Sequence, residues 1–418
     1  MTEFLINGGR KLRGAIAVQG SKNSALPLLA AALLVCGEVV LDNCPALSDV
    51  DAALEILTYL GCRAHRCGSA VTVDATGMHA CDIPAHLMKR MRSSVVFLGA
   101  ILARAGRAEM TMPGGCMLGP RPIDYHIDAL RALGADIDLC GDRLLCRACR
   151  LRGAELLLPF PSVGATENAM LAAAACRGLT RIRNAAREPE IVDLAGFLNA
   201  IGIPVRGAGT PVIEITGGSR PHGVRYPVMT DRIAAGTYLC AAAVTGGEIE
   251  LTNANPLELR ALTDALLRAG CTLTVNGSRL RLHAPRNLRA VGIIETGPYP
   301  AYPTDLQPPL LALACTGKGT SIFLETMFAS RYNHIEELRR MGADILTDGR
   351  FAAIHGVPRL TGAAVSAPDL RAAAALVTAA LGANGETTIS HIDYLDRGYA
   401  RMDEVLSSLG AEVCRREF

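Results

Sequence analysis

Six glycines constrain this chain more than any other feature. Gly61, Gly134, Gly202, Gly270, Gly342 and Gly410 each close a helix-like run with a similar turn, as in "YLGCRAHRCGSAVTV", "ALGADIDLCGDRLLC" and "RMGADILTDGRFAAI". Their spacings are 73, 68, 68, 72 and 68 residues, so the chain repeats with a period near seventy. Glycine in such a turn can take the left-handed conformation that ends a helix. The alternating residues after it read as a β-hairpin.

Upstream in each repeat lies a second helix, rich in Ala and Leu, followed by a short strand: "SALPLLAAALLVCGEVVLDN", "TENAMLAAAACRGLTRIRN" and "RIAAGTYLCAAAVTGGEIELTN" are examples. Helices apolar around their whole circumference belong inside a core. One repeat cannot cover its own helix, but three closing on one another can. The expectation is therefore two similar α/β domains of three repeats each. Residues 22–229 would form the first, and residues 1–21 with 230–418 the second. The sixth repeat ends at "EVCRREF" with only one hairpin strand, so strands from the N-terminus are expected to complete the second domain.

Composition narrows the function. Half the residues are hydrophobic, 20% are charged and the formal net charge is +2, without a Lys/Arg run. That argues against a nucleic-acid or membrane-surface partner. The N-terminal stretch has no apolar signal region, and no apolar run reaches the roughly 18 residues of a membrane span, so a cytoplasmic enzyme is expected. The 14 cysteines are scattered through apolar segments, as in a reducing compartment. One CxxC, Cys146 to Cys149, has no second pair, so no metal site is expected.

Unusual residues gather at two places in each repeat. Before the buried helices stand Lys22 and Asn23, Arg92, Ser162 to Gly164, Asp231 and Arg232, Thr304 and Asp305, and Asp369 and Arg371. Ser162 and Asp369 suit ordinary N-caps. Lys22, Arg92, Arg232 and Arg371 do not, because the helix dipole disfavours cations there. Cations at four of six equivalent sites point to a shared anion, which helix N-termini also favour. The loops after the strands hold "PGGCMLGPRPID", "NAAREPEIVD", "ETMFASRYNH" and "IDYLDRGYA". Chain direction returns these loops to the same face, bringing Cys116, Arg121, Glu188, Arg331 and Arg397 near the helix starts. Glu188 could instead simply begin the next helix. No P-loop, H-E-x-x-H or G-x-S-x-G motif is present. The residues alone thus point to phosphoryl or carboxylate substrates in an interdomain cleft, with Cys116 and Asp305 as candidate acid–base groups.

Taken together, "GSKNSALP", "PGGCMLGPRPID", "PSVGATEN", "NAAREPEIVDL", "YPTDLQ" and "YLDRGYARMD" resemble, in type, order and spacing, the enolpyruvyl transferase family, specifically its members acting on a UDP-amino sugar. The resemblance covers essentially the whole chain. It implies two inside-out α/β barrels of three repeats, and transfer of enolpyruvyl from phosphoenolpyruvate to the 3′-hydroxyl of UDP-N-acetylglucosamine, the step that opens peptidoglycan precursor synthesis. It implies no cofactor, and a monomer is expected. Lys22, Asn23, Cys116, Arg121 and Arg397 would meet phosphoenolpyruvate. Asn23, Arg92, Arg121, Pro122, Ile123, Asp124, Tyr125, Ser162, Val163, Gly164, Thr304, Asp305 and Met327 would meet the sugar nucleotide. Cys116 would give a proton to the methylene carbon or form a covalent adduct, the division being open, and Asp305 would take the hydroxyl proton. Glu188, Asp231, Arg232, Arg331, Asp369 and Arg371 would support the cleft. Ser48, Phe160 and Pro161 stand where family members often carry lysines or their neighbours, which bears on nucleotide affinity. Sister enzymes using shikimate 3-phosphate share the fold and donor; the sugar-nucleotide motifs and the cysteine loop set this chain apart from them.

Overall fold

The computed structural model describes residues 2–112 and 123–417. Among them are six four-stranded sheets, one per repeat, all with the same order. The fifth repeat shows the plan. Strand Ile293–Glu295 runs parallel to Thr320–Leu324, which pairs antiparallel with Phe351–His355, which in turn pairs antiparallel with Asp344–Asp348. The apolar helix Gln307–Ala314 connects the two parallel strands, as parallel pairing requires. The short leading strand, Ile293–Glu295 here, goes beyond the sequence expectation of helix, strand, helix and hairpin.

The six turn glycines take φ values of 96, 98, 93, 97, 90 and 92°. At the first, Gly61 N–H donates to Thr58 O and Cys62 N–H to Leu57 O, both at 3.0 Å, the double bond of a Schellman ending. The same two bonds recur at the other five glycines. A side chain at φ near +95° is strained, so glycine holds all six sites.

Two leading strands are exchanged between repeats. Arg13–Ile16 precedes the helix Lys22–Ala31 but pairs with Glu248–Leu251 of the fourth repeat. Val224–Pro227 precedes the helix Arg232–Val244 but pairs with Glu38–Asp42 of the first. Strand Thr2–Asn7 lies between Glu386–Ser390 and Glu412–Glu417, supplying the missing hairpin strand of the sixth repeat.

The described chain forms two compact units, residues 20–112 with 123–229 and residues 2–19 with 230–417. In the second, helices Arg232–Val244, Gln307–Ala314 and Leu370–Gly382 pack on one another, with almost every residue buried. Each fully buried Leu there contributes about 1.5–3 kcal/mol. In the first, helix Phe97–Ala105 packs on Val163–Ala173 so closely that a Cβ at Gly99 would lie 2.4 Å from the Asn168 carbonyl oxygen. No helix of the described residues is long and apolar enough to cross a membrane.

Candidate active site

In the second unit the site is built around Asp305, on the short turn Thr304–Leu306 that leads into helix Gln307–Ala314. Arg331 Nη2 donates to Asp305 Oδ1 at 2.9 Å, and Arg371 Nη2 donates to Oδ2 at 2.8 Å. The two arginine side chains are 1% and 7% exposed, whereas that of Asp305 is 27% exposed. The guanidiniums are thus buried, whereas the carboxylate is partly exposed.

Each arginine is held in turn. Arg331 Nε donates to Thr304 Oγ1 at 3.1 Å, and that hydroxyl donates to Glu325 at 3.0 Å. Glu325 Oε1 also accepts the backbone N–H groups of Met327 and Phe328, at 2.9 and 3.1 Å, which fixes the loop carrying Arg331. Arg371 Nη1 lies 3.3 Å from the Tyr399 hydroxyl, which meets Thr237 Oγ1 at 2.9 Å. Burial opposes the charge of Arg371, but Asp305, Tyr399 and Asp231 more than offset it, and its pKa is raised. The helix dipole penalty against a cation is overcome by paired carboxylates.

Asp231 and Asp369 cap their helices. Asp231 Oδ1 accepts from Ile233 and Ala234 N–H at 2.8 and 2.9 Å, and Asp369 Oδ1 from Arg371 and Ala372 N–H at 2.9 and 3.1 Å. Arg232 is buried beside the Tyr299 ring, 5.7 Å from its centroid. Arg397 ends the turn Ile392–Arg397 and is half-buried.

In the first unit Lys22 opens its helix behind the N-cap Ser21, and its Nζ lies 3.1 Å from Asp49 Oδ2, with both side chains buried. Asn23 is half-buried beside it. Arg92 begins the turn Arg92–Val96 before the next apolar helix. Ile123 caps helix Asp124–Ala132, and Tyr125 on that helix is half-buried. Ser162 caps helix Val163–Ala173 through Oγ, which accepts Ala165 N–H at 3.4 Å. Gly164 sits against His126, where a Cβ would come within 3.0 Å of the imidazole. Glu188 is the N-cap residue of helix Pro189–Ala200, without a side-chain capping bond.

The second unit therefore brings Thr304, Asp305, Arg331, Asp369 and Arg371 together, with Met327 tied in by its backbone. Cys116, Arg121 and Pro122 lie outside the described residues. Sequence reasoning missed Asp49, Glu167, Glu325, His334 and Tyr399. Glu167 is buried in helix Val163–Ala173, and burial, then the charges of Glu190 and Glu188, push its pKa well up. Glu325 and His334 stood in the quoted loop "ETMFASRYNH", a polar pair beside Arg331 that could have been singled out.

A family profile described as EPSP synthase (3-phosphoshikimate 1-carboxyvinyltransferase) matches residues 6–406. The chain belongs to this family. Within it, the chain is 46% identical over 415 residues to UDP-N-acetylglucosamine 1-carboxyvinyltransferase 2 of Caldanaerobacter subterraneus subsp. tengcongensis, covering 99% of this chain and 100% of that one. It is 47% identical to UDP-N-acetylglucosamine 1-carboxyvinyltransferase 1 of Symbiobacterium thermophilum, covering 99% and 95%. Among solved structures it is similar to the enolpyruvyl transferase NikO from Streptomyces tendae, with TM-score 0.88, 26% identity and coverage of 99% and 98%. EPSP synthase from Acinetobacter baumannii, at TM-score 0.79, 19% identity and complete coverage of both chains, shares the fold. The two α/β inside-out barrels that the resemblance implies are thus supported by these structural neighbours.

Proposed function

We propose that the protein transfers the enolpyruvyl group of phosphoenolpyruvate to the 3′-hydroxyl of UDP-N-acetylglucosamine and releases phosphate, as the first step toward peptidoglycan. The near-full-length relatives, named for that acceptor, support the choice of substrate. One observation carries the chemistry: the partly exposed Asp305 is held by a buried guanidinium on each oxygen. The two guanidiniums fix the orientation of the carboxylate, a group that can accept a proton from a hydroxyl.

In this reading Lys22, Arg121 and Arg397 bind the phosphate and carboxylate of phosphoenolpyruvate, while Asn23, Arg92, Pro122 to Tyr125, Ser162 to Gly164, Thr304 and Met327 bind the nucleotide. The methylene carbon gains a proton, with Cys116 as donor. The sugar oxygen bonds to the adjacent carbon and gives its proton to Asp305, forming a tetrahedral ketal. The C–O bond to phosphate then breaks, and a methyl proton returns to the Cys116 thiolate as the vinyl group re-forms. The chain works as a cytoplasmic monomer on these soluble substrates.

Phosphate release, measured with each substrate omitted in turn, tests the reading. Turnover should need phosphoenolpyruvate and UDP-N-acetylglucosamine together, and Cys116→Ala should lose most of it. Turnover with shikimate 3-phosphate in place of the sugar nucleotide would overturn the choice of acceptor.

A further inference from the structure

Tyr399 is fully buried, and its hydroxyl lies between Arg371 Nη1, at 3.3 Å, and Thr237 Oγ1, at 2.9 Å. Counting protons fixes the direction of this chain of bonds. A guanidinium only donates, and a threonine hydroxyl has one proton to give. Thr237 gives that proton to the Ile233 carbonyl one helical turn back, at 2.9 Å. The Tyr399 proton therefore goes to Thr237, and a lone pair of the same oxygen is left facing Arg371. Burial, the largest influence, pushes the Tyr399 pKa up, so the hydroxyl keeps its proton. Backbone bonds hold the ring in place independently of the hydroxyl. Tyr399 N–H donates to Leu395 O at 2.8 Å. The Gln19 amide brackets the residue, with Nε2 donating to Gly398 O at 3.0 Å and Oε1 accepting Ala400 N–H at 2.7 Å.

We propose that Tyr399 is a positioning residue, whose hydroxyl sets the angle at which the Arg371 guanidinium meets Asp305. Arg371 Nη2 donates to Asp305 Oδ2 at 2.8 Å. One bond leaves a flat guanidinium able to pivot, whereas a second one on Nη1 fixes its plane. Thr237 draws the Tyr399 proton away, so the oxygen that Arg371 meets can only accept. Arg331 is fixed in the same manner, its Nε donating to the Thr304 hydroxyl, whose own proton goes to Glu325. Each arm of the clamp thus ends on a hydroxyl that hands its proton to a further acceptor. Tyr399 acts on Asp305 only through Arg371, and Thr237 only through Tyr399.

The kinetic half of the test rests on the proposed reaction; the spectroscopic half does not. Tyr399→Phe removes one oxygen and keeps the ring. It should lose about tenfold in kcat, with each KM within about threefold, as expected when a reacting group is loosened but binding stays. Thr237→Val, which leaves the Tyr399 proton free to turn, should lose about threefold in kcat. The double variant should match Tyr399→Phe alone, because the two hydroxyls act in series. Equal kcat in the natural and Phe proteins, or losses that multiply in the double variant, overturns the proposal. An inactive natural enzyme would instead break the reaction assignment. Proton NMR of the natural protein needs no variant to fold. The Tyr399 hydroxyl proton should exchange slowly with water and show a nuclear Overhauser contact to the Thr237 methyl group. Rapid exchange, or a proton directed away from Thr237, would overturn the chain of bonds.

Discussion

The two compact units face the same difficulty, ionisable side chains at the starts of buried helices, and meet it with opposite charge patterns. In the second unit signs alternate. Asp305 lies between Arg331 and Arg371, and Asp231 adds to the field that keeps Arg371 charged. In the first unit Lys22 pairs with Asp49, and Glu167 is held in its neutral form by burial, then by the charges of Glu190 and Glu188. Alternation fixes charges in place, as a group that must stay ionised requires. Crowding of one sign makes a proton part of the fold. The same helix-inside architecture thus carries a rigid charge frame in one unit and a titrating one in the other.

The strongest challenge to this contrast is Asp305→Asn. The amide keeps the shape but cannot accept a proton, so phosphate release should fall by about 10²–10⁴-fold, while calorimetry still shows binding of the sugar nucleotide. If turnover stays near that of the natural protein, the clamp is structural and the second unit's fixed charges have another purpose.

Removing the first unit's extra proton is the next test. The folded pKa of Glu167 is raised, so the folded chain keeps a proton that the unfolded chain gives up above the ordinary carboxyl range. Stability from this group is therefore present at low pH and lost as pH rises through that window. Glu167→Gln keeps a neutral side chain throughout. Its stability relative to the natural protein should rise from pH 5.5 to pH 7.5. Urea unfolding at the two pH values measures this. An equal pH dependence in both proteins would mean that the three carboxyls do not share a field.

What could be read from the sequence follows the range over which each feature is encoded. The six glycines are local: each must take positive φ, and each does. The buried helices are local too, because no other place suits so apolar a circumference. The leading strands were not legible. Ile293–Glu295 and Ala364–Ser366 are three residues long, too short to show alternation. Nor does anything in "LRGAIAVQG" reveal that its strand pairs with Glu248–Leu251, since that choice is made by the closing of the sheet. Arg371 stood out because a cation at a helix start is costly unless it is used, Asp305 because it shares that position, and Arg331 because its loop returns to the same face. Tyr399 and Asp49 did not, because each reads as an ordinary residue until its partner is known. Tyr399 becomes informative only once the Arg371 guanidinium is placed at its hydroxyl.

The mildest expected effect concerns His126, the first unit's counterpart to His334. Both rings are buried and both are pushed down to about 4, chiefly by burial. They differ in partners: His126 Nδ1 lies 2.7 Å from Asn168 Nδ2, so it accepts that amide hydrogen, and Asn168 Oδ1 takes Gly99 N–H at 2.7 Å. His126 thus belongs to a helix-packing network. Because the folded pKa is depressed, the unfolded chain binds the proton first on acidification. Stability is then full above about pH 6.5 and falls as pH drops toward 4. Between pH 6.5 and 5.5 the loss from one such ring is about 1 kcal/mol. His126→Gln should flatten that part of the urea-derived curve and leave kcat unchanged to within about threefold, while His334→Gln flattens it by the same physics. If His126→Leu leaves the acid limb as steep as in the natural protein, that limb does not come from this ring. The contrast between the units would then rest on Asp305 and Glu167 alone.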